Sequence, residues 1–269
     1  MNSKITIEKL LQGDYKYTKI IFQYIFDYTL GQIFRNKKRI LTTEEIKNFY
    51  EIQDKLNNGL PLQYALGKWN FYGRDFVINE NVLIPRPETE LIVDNILRED
   101  LENKTVLDIG TGSGAIAISL ALESKAKIYA SDISNEALKV AKINAKNFNA
   151  SVEFFNSNLY ESIEKKFDYI VSNPPYLSEK EYEEVDKILY KEPKVALVGG
   201  KTGYEIYIEI IKESKKYLNE GGKIFLEIGY TQANIVSELL LECGYTNIKI
   251  IKDYNNLDRI VIGELCLNN

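Results

Sequence analysis

Histidine is absent from all 269 residues of the chain. Its absence excludes Ser-His-Asp triads, Cys-His pairs and zinc sites that need an imidazole. Cysteine is nearly as scarce. Cys243 and Cys266 stand well apart with no CxxC spacing, so neither a disulfide framework nor a thiolate metal cluster is legible, no metal is expected, and a reducing cytoplasm is the expected compartment. Long apolar runs are also missing: no stretch approaches the ~20 residues of a membrane span. The opening Met1-Asn2-Ser3-Lys4-Ile5-Thr6 continues into polar and charged residues, not into the apolar core of a targeting segment.

What is present fits a globular chain, 45% hydrophobic and 27% charged, with a net charge of −5. The length exceeds the ~100–200 residues of an ordinary domain, so one large domain or two are expected. Charge is unevenly spread. Residues 1–72 hold 11 Lys and Arg against 7 Asp and Glu, net +4, and the remainder hold 23 against 32, net −9. A mildly basic head therefore precedes an acidic body, as suits a head that meets an acidic partner.

The head reads as helical. Ile20, Ile21, Tyr24, Ile25 and Tyr28 recur at helical spacing over 19–30, with Gly31 placed to stop the helix. Thr42 and Glu45 have the spacing of a capping box ahead of Ile46, Phe49 and Tyr50. Residues 69–78 then alternate aromatic and polar side chains around Gly73, the pattern of a hairpin. From Thr105 onward strands alternate with helices, which predicts an α/β body with a mostly parallel sheet. Ligands of such sheets bind beyond the carboxyl ends of the strands.

Two such ends carry chemistry. After the strand 105–109 comes Asp108-Ile109-Gly110-Thr111-Gly112-Ser113-Gly114, whose glycines let the backbone turn sharply and approach a ligand closely. The next strand ends at Asp132, an acid placed to accept hydrogen bonds from both hydroxyls of a ribose. This pairing points to a bound nucleoside without saying which one. The loop resembles the first motif of class I S-adenosylmethionine-dependent methyltransferases, where it borders the methionine part of the cofactor.

The strand 169–172 runs directly into Asn173-Pro174-Pro175-Tyr176. Two consecutive prolines make this turn rigid. Methylation of a planar nitrogen needs such a turn, because an amide lone pair is delocalised and the nitrogen must be held while that lone pair turns toward the methyl group. The Asn173 side-chain oxygen and the Pro174 carbonyl are candidate acceptors for its two N–H groups, and Tyr176 is a candidate stacking partner. The cofactor brings an activated methyl, so positioning and charge stabilisation are the main tasks. No base with a pKa near 7 is required.

Several stretches together resemble the peptide chain release factor N5-glutamine methyltransferases, the PrmC/HemK family. They are 61–67, 71–76, Leu83-Ile84-Pro85-Arg86-Pro87-Glu88-Thr89-Glu90, Glu192-Pro193-Lys194-Val195-Ala196-Leu197, 226–229 and Asp258-Arg259. The resemblance implies a Rossmann-like methyltransferase with a mostly parallel seven-stranded sheet. It implies an N-terminal helical substrate-recognition domain over 1–68, a linking β-hairpin over 69–86 and a catalytic domain over 87–269. It implies methyl transfer from S-adenosyl-L-methionine, leaving S-adenosyl-L-homocysteine, to the glutamine of the Gly-Gly-Gln motif of a release factor. On that basis Gly110, Thr111, Gly112, Ser113 and Gly114 line the cofactor, Asp132 holds its ribose, Asn158 and Leu159 meet its adenine, and Asn173, Pro174, Pro175 and Tyr176 bind the glutamine amide, with Asn173 also against the cofactor. The chain departs from the family pattern at Asn158, usually an acid, and at Thr202, commonly an Asp. Three of only six arginines, Arg74, Arg86 and Arg259, fall inside the quoted stretches. Arg86 is expected to pair with Glu88, Glu90 or a partner's carboxylate. Ribosomal protein glutamine methyltransferases and adenine-N6 nucleic-acid methyltransferases share the Asn-Pro-Pro-Tyr turn. A pI of about 5.2 and an acidic body weigh against stable nucleic-acid binding.

Overall fold

Capping boxes, a two-residue turn and unbroken apolar strands account for much of the architecture in the computed structural model, which describes residues 4–266. Residues 1–3 of the opening stretch read for a targeting signal, and residues 267–269, lie outside the described residues. The chain divides into two compact units, Met1–Lys68 and Trp69–Asn269.

In the first unit five short helices run in order: α1 (Ile7–Leu11), α2 (Thr18–Phe26), α3 (Leu30–Arg35), α4 (Thr43–Asn57) and α5 (Leu62–Leu66). Buried Ile7, Ile21, Phe22, Ile33, Phe49 and Leu56 form its interior, where the Phe22 ring stacks on Phe26 and Phe49. Thr42 and Glu45 do form the capping box that starts α4. The helix expected to run to Gly31 ends sooner. Asp27 adopts a left-handed conformation at φ 53° and closes α2, and a second capping box of Thr29 and Gln32 opens α3 with Gly31 inside it. Reciprocal side-chain capping outweighed the ~1 kcal/mol that glycine costs in a helix.

The second unit begins with the hairpin β1 (Lys68–Phe71) and β2 (Arg74–Val77). Its turn residues Tyr72 and Gly73 both have positive φ, 50° and 72°, the requirement of the tight turn whose twist matches that of the strands. After α6 (Glu90–Ile96) the chain alternates: β3 (Thr105–Ile109), α7 (Ala115–Glu123), β4 (Lys127–Asp132), α8 (Asn135–Phe148), β5 (Val152–Asn156), β6 (Phe167–Ser172), α9 (Glu179–Glu184), α10 (Glu205–Tyr217), β7 (Leu218–Glu227), α11 (Ala233–Glu242), β8 (Tyr245–Lys252) and β9 (Asp258–Leu265). Ser134 caps α8 by accepting the Ala137 N–H, as its position in the sequence suggests. Strands 3 to 9 form one sheet in the order β5-β4-β3-β6-β7-β9-β8, parallel except for β9, which runs antiparallel to both neighbours.

Strand side chains point alternately to the two faces, and both faces are apolar here. Val106, Tyr169, Val171, Phe225, Ile260 and Ile262 join one buried cluster, with Phe71 and Phe76 of the hairpin and residues of α6 and α7. Leu107, Ile170, Ile224, Leu226 and Val261, their neighbours along the same strands, join the other, with residues of α10 and α11. Continuous apolar strands covered on both sides are what a parallel sheet demands. Among the described residues no helix is long and apolar enough to cross a membrane.

Candidate active site

β3 and β6 lie side by side with Ile109 opposite Ser172, and the Ser172 hydroxyl donates to the Ile109 carbonyl at 2.7 Å. Gly110 and Asn173 therefore leave the sheet together at its carboxyl edge. This is also where the strand order reverses, with β4 and β5 outward of β3, and β7 outward of β6. Connections diverge at such a border and leave a crevice. A cavity of about 220 Å³ lies there.

Gly110, Thr111, Gly112 and Ser113 line it, as do Asp132, Asn158, Leu159, Asn173, Pro174 and Pro175. Gly110 and Gly112 have φ of 72° and 56°, and open space surrounds the point where a Cβ would sit on either. A side chain at these positions would be strained and would occupy the cavity, so the loop is shaped as a cradle. Its backbone is held by the Ser131 carbonyl, which accepts from the N–H groups of Gly110 and Thr111 at 2.8 and 3.0 Å. Gly114 does not line the cavity. A Cβ there would meet Ile118 and Ala141, so this glycine lets the start of α7 close on α8.

Two acids shape the loop from behind. Asp108 is fully buried and accepts the Thr111 hydroxyl at 2.6 Å. Burial pushes its carboxyl up to about 7, against the stabilising Thr111 hydroxyl. Asp132 accepts the Gly112 N–H on Oδ2 at 2.9 Å and the Ser134 N–H on Oδ1 at 2.8 Å. Burial raises its pKa, and these two N–H groups oppose the rise. A carboxylate has about four lone-pair positions, so each oxygen keeps capacity to accept from a ligand. Asn158 donates from Nδ2 to Glu161 at 3.0 Å, which leaves its carbonyl oxygen as the acceptor for a neighbour. The Thr202 departure has a local reason: its N–H donates to the Glu205 carboxylate and its hydroxyl accepts the Tyr204 N–H, a turn that starts α10.

On the opposite wall Asn173 donates from Nδ2 to the Thr89 hydroxyl oxygen at 3.1 Å. Among the described residues nothing donates to its Oδ1 or to the Pro174 carbonyl. Gln232 holds the end of the turn, donating from Nε2 to the Tyr176 carbonyl at 3.0 Å. Tyr176 itself is half-buried and packs beside the cluster around α10 and α11, not on the cavity wall. Burial, followed by the nearby Glu227 charge, pushes its phenol up to about 12, so it stays neutral.

Several residues of the site were not singled out from the sequence. Fully buried Asn144 on α8 joins the hairpin to the glycine loop: Oδ1 accepts the Val77 N–H, and Nδ2 donates to the carbonyls of Val77 and Ser113. Buried Glu192 receives the Ile84 N–H at 3.0 Å and the Arg86 guanidinium at 2.5 Å. Arg86 thus pairs across 106 residues and not with Glu88 or Glu90. Glu192 ties together two wall segments, the one carrying Pro85 and Thr89 and the one carrying Pro193, Val195 and Ala196. Arg74 and Arg259 are likewise in ion pairs, with Glu123 and Asp253. The planar fork of arginine was the usable signal, but a partner a hundred residues away has no local trace.

Comparison with known proteins gives the following. The family model described as "Methyltransferase small domain" matches residues 87–201. A release factor glutamine methyltransferase of Streptococcus pneumoniae is 45% identical over 227 residues, covering 82% of this chain and 81% of its own. That of Aquifex aeolicus is 35% identical over 272 residues, covering 97% of this chain and 96% of its own. Among solved structures, a methyltransferase from Pyrococcus furiosus superposes with a TM-score of 0.57 at 22% identity, covering 84% of this chain and all of that one. This last likeness is one of fold.

Proposed function

The chain belongs to the release factor glutamine methyltransferases, and from that membership we propose that the cavity binds S-adenosylmethionine and directs its methyl group to N5 of the glutamine in the Gly-Gly-Gln motif of a peptide chain release factor. The observation that carries this reading is the position of Asn173-Pro174 beside the glycine loop in one cavity, with the Asn173 oxygen and the Pro174 carbonyl free of protein donors among the described residues.

The residues present fit the cofactor. Gly110 and Gly112 form a cradle that a Cβ would fill, Asp132 keeps acceptor capacity for ribose hydroxyls, and Asn158 and Leu159 stand on the wall for the adenine. Asn158 would accept from the adenine amine as a neutral dipole, where relatives of the family use an acid. When bound, the cofactor supplies a methyl group on a positively charged sulfur that needs no further activation.

The chain's own residues then handle the amide. An amide nitrogen carries two N–H groups in its plane, and two fixed oxygens accept them: Oδ1 of Asn173 and the carbonyl of Pro174. Both oxygens bear partial negative charge at the place where positive charge grows on the nitrogen, so they stabilise the transition state more than the ground state. Rigidity from the two prolines keeps them in place without reorganisation. The nitrogen, once it has gained the methyl, is strongly acidic and loses a proton without a dedicated base. This is how a histidine-free site performs the reaction.

The first unit, which holds all of the net +4 of residues 1–72, is suited to grip the factor, and the acidic body disfavours a polyanionic substrate. Mass analysis of a release factor incubated with the protein and cofactor tests the reading. The peptide bearing Gly-Gly-Gln should gain one methyl on the glutamine side chain; an unmodified peptide would refute it.

A further inference from the structure

Two oxygens can hold the two N–H groups of an amide only if both keep fixed directions. Asn173 is anchored through its own side chain, by Thr89 at 3.1 Å. The Pro174 carbonyl has to be anchored through the backbone. Its segment is stiff: the rings of Pro174 and Pro175 lock their φ, and each residue before a proline is kept out of the helical region. With so few soft torsions, the direction of the Pro174 carbonyl follows from where the carbonyls just after it are held.

The Tyr176 carbonyl is held by Gln232, a residue 6% exposed at the start of α11, which donates to it from Nε2 at 3.0 Å. The Gln232 amide cannot turn over. Its Oε1 accepts the Gly229 N–H at 2.9 Å, and a backbone N–H can only donate. The Gln232 N–H in turn donates to the Gly229 carbonyl at 2.8 Å, so the loop leaving β7 grips this residue at both its backbone and its side chain. Two glycines close on the turn as well. A Cβ on Gly203 would lie 2.5 Å from the Tyr176 carbonyl oxygen, and one on Gly199 would overlap the Pro175 carbonyl. Leu177 follows, its N–H donating to the Leu197 carbonyl and its carbonyl accepting the Gly199 N–H, each at 2.9 Å. Three successive residues are thus fixed directly after Pro174, whose own carbonyl has no protein donor among the described residues.

We propose that Gln232 is a positioning residue: with its amide locked by Gly229, it holds the Tyr176 carbonyl and so fixes the direction of the Pro174 carbonyl toward the substrate amide. Gln232 does not line the cavity, so it acts through the turn. This rests on the reading of Asn173 and Pro174 as amide acceptors given above. Misplacing a reacting group by about 1 Å costs up to ~10²-fold in rate, so a slackened turn should be visible in kcat.

The test uses two variants. Gln232→Glu keeps the shape and the acceptor for Gly229 and deletes only the donor to Tyr176, once about pH 9 has ionised the introduced carboxyl. Gln232→Met removes every polar contact of the side chain without adding a charge, and serves also if Gln232→Glu does not fold. With a release factor as substrate each should lower kcat ~10-fold or more, with KM for the factor and cofactor Kd within about twofold. Carbonyl 13C NMR of proline-labelled protein, recorded without substrate, reads the cause. The Pro174 signal, identified by its loss in Pro174→Ala, should move by more than a linewidth in both variants. The proposal is overturned if that signal stays in place in either variant, if Gln232→Glu keeps the wild-type kcat at that pH, or if the loss falls on KM or cofactor Kd and not on kcat. A wild-type protein that leaves release factors unmethylated, while the Pro174 signal moves as expected in the variants, would instead defeat the functional reading.

Discussion

The carboxylate of Asp132, at the end of β4, receives the Gly112 backbone N–H at 2.9 Å and so joins the second strand of the sheet's nucleoside half to the loop that follows the first. One side chain thereby shapes the cradle and offers acceptors to what lies in it. Replacing Asp132 with Ala removes both, and hydrogen bonds to charged groups contribute ~1.5–3 kcal/mol. We expect cofactor Kd to rise roughly 10- to 100-fold, with kcat at saturating cofactor changed by only a few-fold. Calorimetric titration reads the first and steady-state kinetics the second.

Asn173→Ala should show the opposite split. Removing one preorganised dipole from a transition state typically costs ~10²–10³ in kcat, and the cofactor should bind nearly as before. A collapse of cofactor binding with the rate preserved would remove Asn173 from its assigned place.

Glu192 holds two cavity walls together through Arg86 and the Ile84 N–H. Its side chain is buried and that of Arg86 is 31% exposed, so truncation strands a guanidinium that water can partly reach. We expect Glu192→Ala to cost about 2 kcal/mol, below the 3–5 of a fully buried pair. Arg86→Ala in the same background should then add little, because the shared interaction is already gone. Urea unfolding of the two single variants and the double variant measures this.

Stability should also depend on pH through Asp108. Its carboxyl is raised from an ordinary 3.8 to about 7 by burial, so the folded state keeps a proton that the unfolded chain releases. The contribution is fully present below pH ~4 and is lost as pH rises through 7. Asp108→Asn should remove this slope. At ~1.4 kcal/mol per pH unit the loss between pH 5 and pH 8 is on the order of 3 kcal/mol, readable from urea midpoints at those two pH values. Equal slopes in the two proteins would contradict it.

Much of this was legible in the chain itself. The β3 to α8 run, its glycine loop and the acid at Asp132 follow from apolar periodicity and turn chemistry, which are local. The capping box at Thr42 is legible for the same reason, whereas at Gly31 the four-residue capping box from Thr29 to Gln32 outweighs the stop signal of a single glycine. Thr89, Asn144 and Glu192 were not legible as site residues. Their partners lie between 31 and 108 positions away in sequence, and only the packing of sheet, hairpin and wall segments brings them together. Arg86 shows the limit most clearly, since two acids within four residues were the obvious partners and a third, 106 residues on, is the one it meets.

Selectivity for one particular glutamine is the property that defines this site. Its most direct test is transfer of labelled methyl from S-adenosylmethionine to a purified release factor, beside the same factor with the Gly-Gly-Gln glutamine changed to alanine. Label should enter the first and be absent from the second. Label that persists after the change, or that never enters the intact factor, would contradict the account.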